Sequence, residues 1–195
     1  MSGSCLAPHP GSGLAFARAR VTVGAPFQSQ REQSLIEKPP QPRRPYLALA
    51  GWLVLCFAAA GTAVFVSVDG WYERLVKPSW NPPAWLFGPV WTALYVTMAV
   101  AAWLVWREGG WRAQRRPLGL FLAQWALNAL WTPLFFGLHQ PGLAFAEILV
   151  LWSALVMTVT AFWRVRRIAG VLLLPYLAWV SFAAFLNFTL WRLNS

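Results

Sequence analysis

The chain has 195 residues, of which 58% are apolar, only 11% are charged and 14 are Trp, giving a mean hydropathy of +0.49. A soluble domain carries about 25% charged residues, so most of this chain is built for a solvent other than water, and its apolar richness excludes a disordered body. The net charge of +10 is no nucleic-acid footprint, because the 16 Lys and Arg sit in the N-terminal 45 residues and between long apolar runs, as a membrane topology signal does.

Residues 1–45 are rich in Ser, Pro, Gly and Gln, with Arg18, Arg20, Arg31, Lys38, Arg43 and Arg44 against Glu32 and Glu37. They contain no apolar core of signal-peptide length and read as a basic, disordered extension; a transit peptide or a misassigned start codon are the alternatives. Residues 46–195 form the second unit. Five apolar runs, at 46–68, 84–106, 118–138, 143–163 and 169–191, each reach the roughly 20 residues that a helix needs to cross about 30 Å of hydrocarbon. Strands are excluded, since open sheet edges cannot be satisfied in lipid and these runs are twice the length of a barrel strand. The fold class expected is therefore an all-α integral membrane protein, a bundle of five transmembrane helices joined mostly by short turns.

Gly109-Gly110, Pro117, Gln140-Pro141-Gly142 and the Arg164 to Arg167 cluster punctuate the runs. Alternating the spans places Arg43, Arg44, Arg107, Arg112, Arg115, Arg116, Arg164, Arg166 and Arg167 on one side and Arg74, Lys77 and Arg192 on the other. That bias predicts the N-terminus in the cytoplasm and the C-terminus outside, in a bacterial membrane or an organelle equivalent.

The longest connection, 69–83, reads DGWYERLVKPSWNPP. It sets Trp71, Tyr72 and Trp80 among the rigid turns of Pro78, Pro82 and Pro83. An interfacial aromatic belt is one reading, and a lid over the bundle is the favoured one. In the second run Phe87, Trp91, Tyr95 and Met98 share a face, in the third Gln124, Asn128 and Thr132 recur beside Trp125 and Trp131, and in the fifth Pro175, Trp179, Ala183 and Asn187 recur. Ordinary helix packing explains any one stripe. Together they supply stacking faces, a few amides and a gap beside Trp179, which suits a flat apolar ligand. Glu147, near the start of the fourth run, is expected to snorkel to the interface and meet the helix dipole. Two cysteines and two histidines make neither a disulfide framework nor a metal site, so no metal and no cofactor are expected.

Four blocks resemble the TspO/MBR family, the tryptophan-rich sensory proteins related to the mitochondrial translocator protein: WYERLVKPSWNPPAWLFGPVWTALY from Trp71, QWALNALWTPLFFG from Gln124, PYLAW from Pro175 and LNFTLWRLN from Leu186. The resemblance implies a membrane protein, often a homodimer, that binds porphyrins such as protoporphyrin IX or other flat apolar ligands, with sterols bound by some members. Its cavity lies beneath the first loop, which by motif position gives Trp91, Tyr95, Asn128, Trp131, Trp179 and Ala183, with Phe87 lining the same stripe and Tyr72 and Pro82 from the loop. Trp91 and Trp179 match two tryptophans implicated in light-driven porphyrin degradation, so they are the catalytic candidates if the protein is an enzyme; the expectation is binding, in porphyrin transport, sensing or homeostasis. A scaffold whose aromatics only pack helices is the third reading. Phe188 stands where the family's cholesterol pattern has Tyr, which speaks against tight cholesterol binding.

Overall fold

The computed structural model describes residues 45–65 and 70–195. The expectations for residues 1–44 and for 66–69, including Asp69 of the loop, lie outside it. Every regular element among the described residues is helical. α1 spans Pro45–Ala58 and runs on as a 3₁₀ segment, Ala59–Phe65; α2 is a single turn, Trp71–Arg74; α3 is Ala84–Trp106. α4 is the turn Gly110–Ala113, α5 is Arg115–Thr132 with a π segment at Pro133–Gly137, α6 is Pro141–Val165, and α7, Arg167–Leu172, leads into α8, Leu174–Leu193.

Four helical stretches are long and apolar enough to cross a membrane: Ala84–Trp106, Arg115–Gly137, Pro141–Val165 and Arg167–Leu193. The first run, expected to be a fifth span, is a shorter apolar helix over Tyr46–Thr62. Proline sets several of the breaks, because it lacks an N–H and its ring crowds the preceding turn. Pro133 opens the π segment, Pro141 starts α6, and Pro175 sits in the first turn of α8, just after the chain kinks at Leu173.

The helices close a ring. α1 packs on α3, α3 on α7 and α8, α8 on α6, and α6 on α5, while the 3₁₀ segment returns to α5. α3 buries Leu94, Tyr95, Met98, Ala99, Ala101, Ala102, Leu104 and Val105, more than one face, because it also touches α5 and α6 across the ring. Two close approaches depend on glycine. A Cβ at Gly142 would stand 3.0 Å from the Trp191 ring, and one at Gly170 would stand 2.8 Å from the Trp163 ring and 3.0 Å from its Cα.

The outward faces are apolar. Trp85 is 72% exposed, Phe185 60%, Val150 57% and Met157 51%. Water would penalise so large an apolar surface, whereas lipid chains are as apolar as the side chains that meet them.

Candidate functional site

Each stripe can be followed to its place in the ring. Phe87 and Trp91 are half-buried and Tyr95 and Met98 buried, so the α3 stripe faces inward. Trp91 lies 5.3 Å from Tyr95 and 6.2 Å from Tyr176 of α8, centroid to centroid, and Phe87 meets Trp179 edge-on at 5.8 Å. Trp179 continues to Phe182 at 5.6 Å. Trp91 and Trp179 thus stand on the facing surfaces of α3 and α8 in two sets of rings, Tyr95–Trp91–Tyr176 and Phe87–Trp179–Phe182. Ala183, half-buried, lies one turn beyond Trp179 on the same helix.

Gln124 and Asn128 of α5 are buried and Thr132 is half-buried. The Asn128 side chain stands beside the Tyr95 hydroxyl. Trp131 donates its Nε1–H to Asn187 Oδ1 at 3.1 Å, and Asn187 Nδ2 donates to the Pro141 carbonyl at 2.8 Å, so α5, α6 and α8 are tied at one level. Trp131 also stacks on Phe135 of the π segment at 5.0 Å and 16°.

The loop packs across this end. Tyr72 contacts Phe135 and Phe136 edge-on, at 6.3 and 5.5 Å, and Trp71 contacts Phe135 at 5.6 Å and stacks on His139 at 4.4 Å. Trp80 stacks on Phe185 at 5.2 Å. The Tyr72 hydroxyl donates to Asn81 Oδ1 at 3.2 Å and Asn81 Nδ2 donates to the carbonyl of the half-buried Pro82, which ties the two ends of the loop through Asn81. Burial raises the Tyr72 phenol above its ordinary value of 10, and the Asn81 bond pulls it partly back. At the far end of α8, Asn194 accepts the Val76 N–H at 2.8 Å and donates to the Val76 carbonyl at 3.0 Å, pairing with the loop as a strand neighbour would. The loop therefore lies over the end of the ring, held by aromatic contacts and one asparagine.

Two readings are corrected. Glu147 does not snorkel: α6 begins at Pro141, which puts Glu147 in its second turn, 8% exposed, with neither carboxyl oxygen hydrogen-bonded among the described residues. The buried face of α8 is Tyr176, Val180, Leu186, Asn187 and Leu190, while Pro175 at the head of the expected stripe is exposed. Sequence reasoning also missed Tyr176, which is fully buried with its hydroxyl unpartnered among the described residues, although it lies inside the PYLAW block. The Gln124 amide and the Trp125 indole nitrogen are likewise buried without a hydrogen-bond partner among the described residues. An unpartnered buried polar group costs about 1–3 kcal/mol, so the ring interior retains hydrogen-bonding capacity that its own fold leaves unused.

The family model described as the TspO/MBR family matches residues 44–192. The translocator protein of Homo sapiens is 45% identical over 134 residues, covering 67% of this chain and 79% of that protein. The tryptophan-rich protein TspO of Chlorobaculum tepidum is 45% identical over 151 residues, 76% of this chain and 95% of that one, and the protein CrtK of Rhodobacter capsulatus is 40% identical over 149 residues, 74% and 91%. The matched region takes in the long helical stretches but for the last residue of α8, the loop over the ring and the facing aromatics of α3 and α8: this chain is a multi-pass membrane protein and belongs to the TspO/MBR family.

Proposed function

We propose that the protein binds a tetrapyrrole of the protoporphyrin IX type, or another flat apolar ligand, within the ring beneath loop 70–83, and acts in porphyrin transport, sensing or homeostasis. The observation that carries this reading is the two sets of rings by which α3 and α8 face each other, Tyr95–Trp91–Tyr176 and Phe87–Trp179–Phe182. A macrocycle offers two π faces, and offset or edge-on indoles and phenyls at 4.5–7 Å are the partners such faces favour, worth about 0.5–1.5 kcal/mol per pair beyond area burial. Asn128 and the unpartnered Gln124 and Tyr176 supply directional contacts to a ligand whose edge is polar.

In this reading α1 and Ala59–Phe65 make the fifth span. Fourteen α-helical and seven 3₁₀ residues rise about 35 Å together, enough for the hydrocarbon core. The end carrying Arg107, Arg112, Arg115, Arg116, Arg164, Arg166 and Arg167 faces the cytoplasm, and the loop faces outward.

Titration of the purified protein with protoporphyrin IX, read by tryptophan quenching, tests the proposal. Saturable binding is expected, and Trp179→Ala should weaken it by about 2 kcal/mol, the cost of an aromatic anchor. Unchanged affinity in both Trp179→Ala and Trp91→Phe would leave the aromatics as helix packing only.

A further inference from the structure

At the end of the ring opposite the loop, seven arginines meet one carboxylate. Glu108 is taken by Arg166, Nη1 to Oε1 at 3.2 Å, and the Arg107 guanidinium lies 4.8 Å over the Trp103 ring. Arg112, Arg115, Arg116, Arg164 and Arg167 have no carboxylate within ion-pair distance among the described residues. Two of them are organised rather than scattered. Trp111, Arg115 and Arg116 line an open recess of about 470 Å³.

The turn that shapes this recess is fixed. Gly109 and Gly110 take positive φ, at 113° and 70°, a conformation that only glycine adopts without strain. Gln114 Nε2 donates to the Glu108 carbonyl at 2.9 Å, closing the turn and setting Trp111 on α4 beside the first residues of α5. Depth follows from length. The stretch Arg115–Gly137 has 23 residues and rises about 34 Å, so its first turn stands at the headgroup level of a core about 30 Å thick. At that level a 45% exposed indole lies among headgroups, and two guanidiniums present forked donors suited to phosphate oxygens.

We propose that the recess of Trp111, Arg115 and Arg116 is a binding site for the phosphate headgroup of an anionic phospholipid in the leaflet that this end enters. The headgroup phosphate is held by the two guanidiniums, the glycerol and upper acyl chain lie along the Trp111 ring, and the remaining unpaired arginines add attraction for the anionic leaflet without contacting the same lipid. The site does not rest on the tetrapyrrole reading, because it lies at the other end of the ring.

Native mass spectrometry of the full chain, titrated in detergent with dioleoyl phosphatidylglycerol or dioleoyl phosphatidylcholine, tests it. Wild type should retain the anionic lipid severalfold better than the zwitterionic one. Each arginine near a membrane surface contributes about fivefold to such binding, so the double variant Arg115→Gln/Arg116→Gln should lose roughly tenfold or more of the preference, with retention of phosphatidylcholine, whose choline offsets its phosphate charge, falling much less than that of phosphatidylglycerol. Trp111→Ala should lower retention of both lipids, and an Arg74→Gln control at the loop end should change neither. Should the double variant fail to fold, the two single variants carry the same expectation at smaller size. Equal retention of the two lipids by wild type, or an undiminished preference in the arginine variants, would overturn the proposal; so would displacement of phosphatidylglycerol by about ten millimolar inorganic phosphate, which would make the recess a free-anion site.

Discussion

An indole and a phenyl ring fill comparable space on a helix face, yet the indole gives up an electron far more readily, and Trp91 is the residue at which that difference separates two functions. Its ring lies between Tyr95 and Tyr176, so Trp91→Phe keeps an aromatic surface there. A binder should tolerate the change, with porphyrin affinity shifting less than about tenfold, or roughly 1.4 kcal/mol. An enzyme that bleaches porphyrin through this indole should lose light- and oxygen-dependent decay of the porphyrin absorbance in the same variant. We expect the rates of wild type, variant and free porphyrin to agree, because a binding pocket needs no electron donor. A bleaching rate that collapses in Trp91→Phe with affinity intact would move the assignment to catalysis.

Tyr72 gives a pH dependence of definite sign. Its phenol is raised by burial, so folding favours the neutral form; the stabilisation is complete below the ordinary value of 10 and is lost as pH rises through the higher folded value. Loop 70–83 should therefore stay closed through neutral and mildly alkaline pH and loosen only above about pH 10. Ultraviolet difference titration of tyrosinate, wild type against Tyr72→Phe, should show the missing phenol titrating above 10; titration below 10 would contradict the packing of Tyr72 on Phe135 and Phe136. Single residues were legible unevenly. The inward burial of Tyr95 and Asn128 was legible from spacing, whereas the place of Trp131 came from its motif and Glu147 was misread because the fourth apolar run starts two residues after Pro141, where the helix begins.

At the scale of elements, proline and spacing explain what could be read and what could not. α3 has the limits that hydropathy gives, Ala84–Trp106, since Pro83 stops it on one side and Gly109 lies just beyond the other. The α8 face was displaced for a geometric reason: residues four apart on a helix of 100° per residue drift by about 40° a step, so Pro175 and Asn187, three steps apart, differ by roughly 120° and cannot share an inward line. Uniformly apolar helices offer no polar face to correct such an error. The change from α to 3₁₀ at Ala59 has no comparable signal, because AAGTAV carries no proline and only one glycine. The loop's attachment was illegible for another reason, since Asn194 and Val76 lie 118 residues apart. Asn194→Ala removes both bonds to Val76 and the bond to the Leu190 carbonyl at 2.8 Å. Exposed hydrogen bonds of this kind contribute about 0.5–1.5 kcal/mol each, so amide exchange across residues 71–80 should accelerate about tenfold while exchange in α3 and α6 stays as it was. Unchanged exchange in the loop would show that the aromatic contacts alone hold it.

The whole molecule is polarised. One end holds seven arginines and Glu108; the other holds Arg74, Lys77 and Arg192 with Glu73, and there Lys77 spends its ammonium on the Glu73 and Leu75 carbonyls at 3.0 and 3.4 Å and on the face of Tyr72 at 4.8 Å. Moving an arginine-rich turn across a membrane is costly, and cytoplasmic turns accordingly collect Lys and Arg within about 15–20 residues of the span ends. The connections 107–114 and 164–167 are that short, so both should lie in the cytoplasm, with loop 70–83 and the C-terminus on the far side. Reporter fusions placed in the turn after Arg107 and after Ser195 check this: the first should be active as a cytoplasmic reporter and the second as an external one. The two fusions are not independent, because three long helical stretches separate them and an odd number of crossings must exchange sides. A C-terminal reporter active in the cytoplasm would invert the protein as a whole, turning the loop and the ring mouth beneath it inward and placing the recess of Trp111, Arg115 and Arg116 in the outer leaflet.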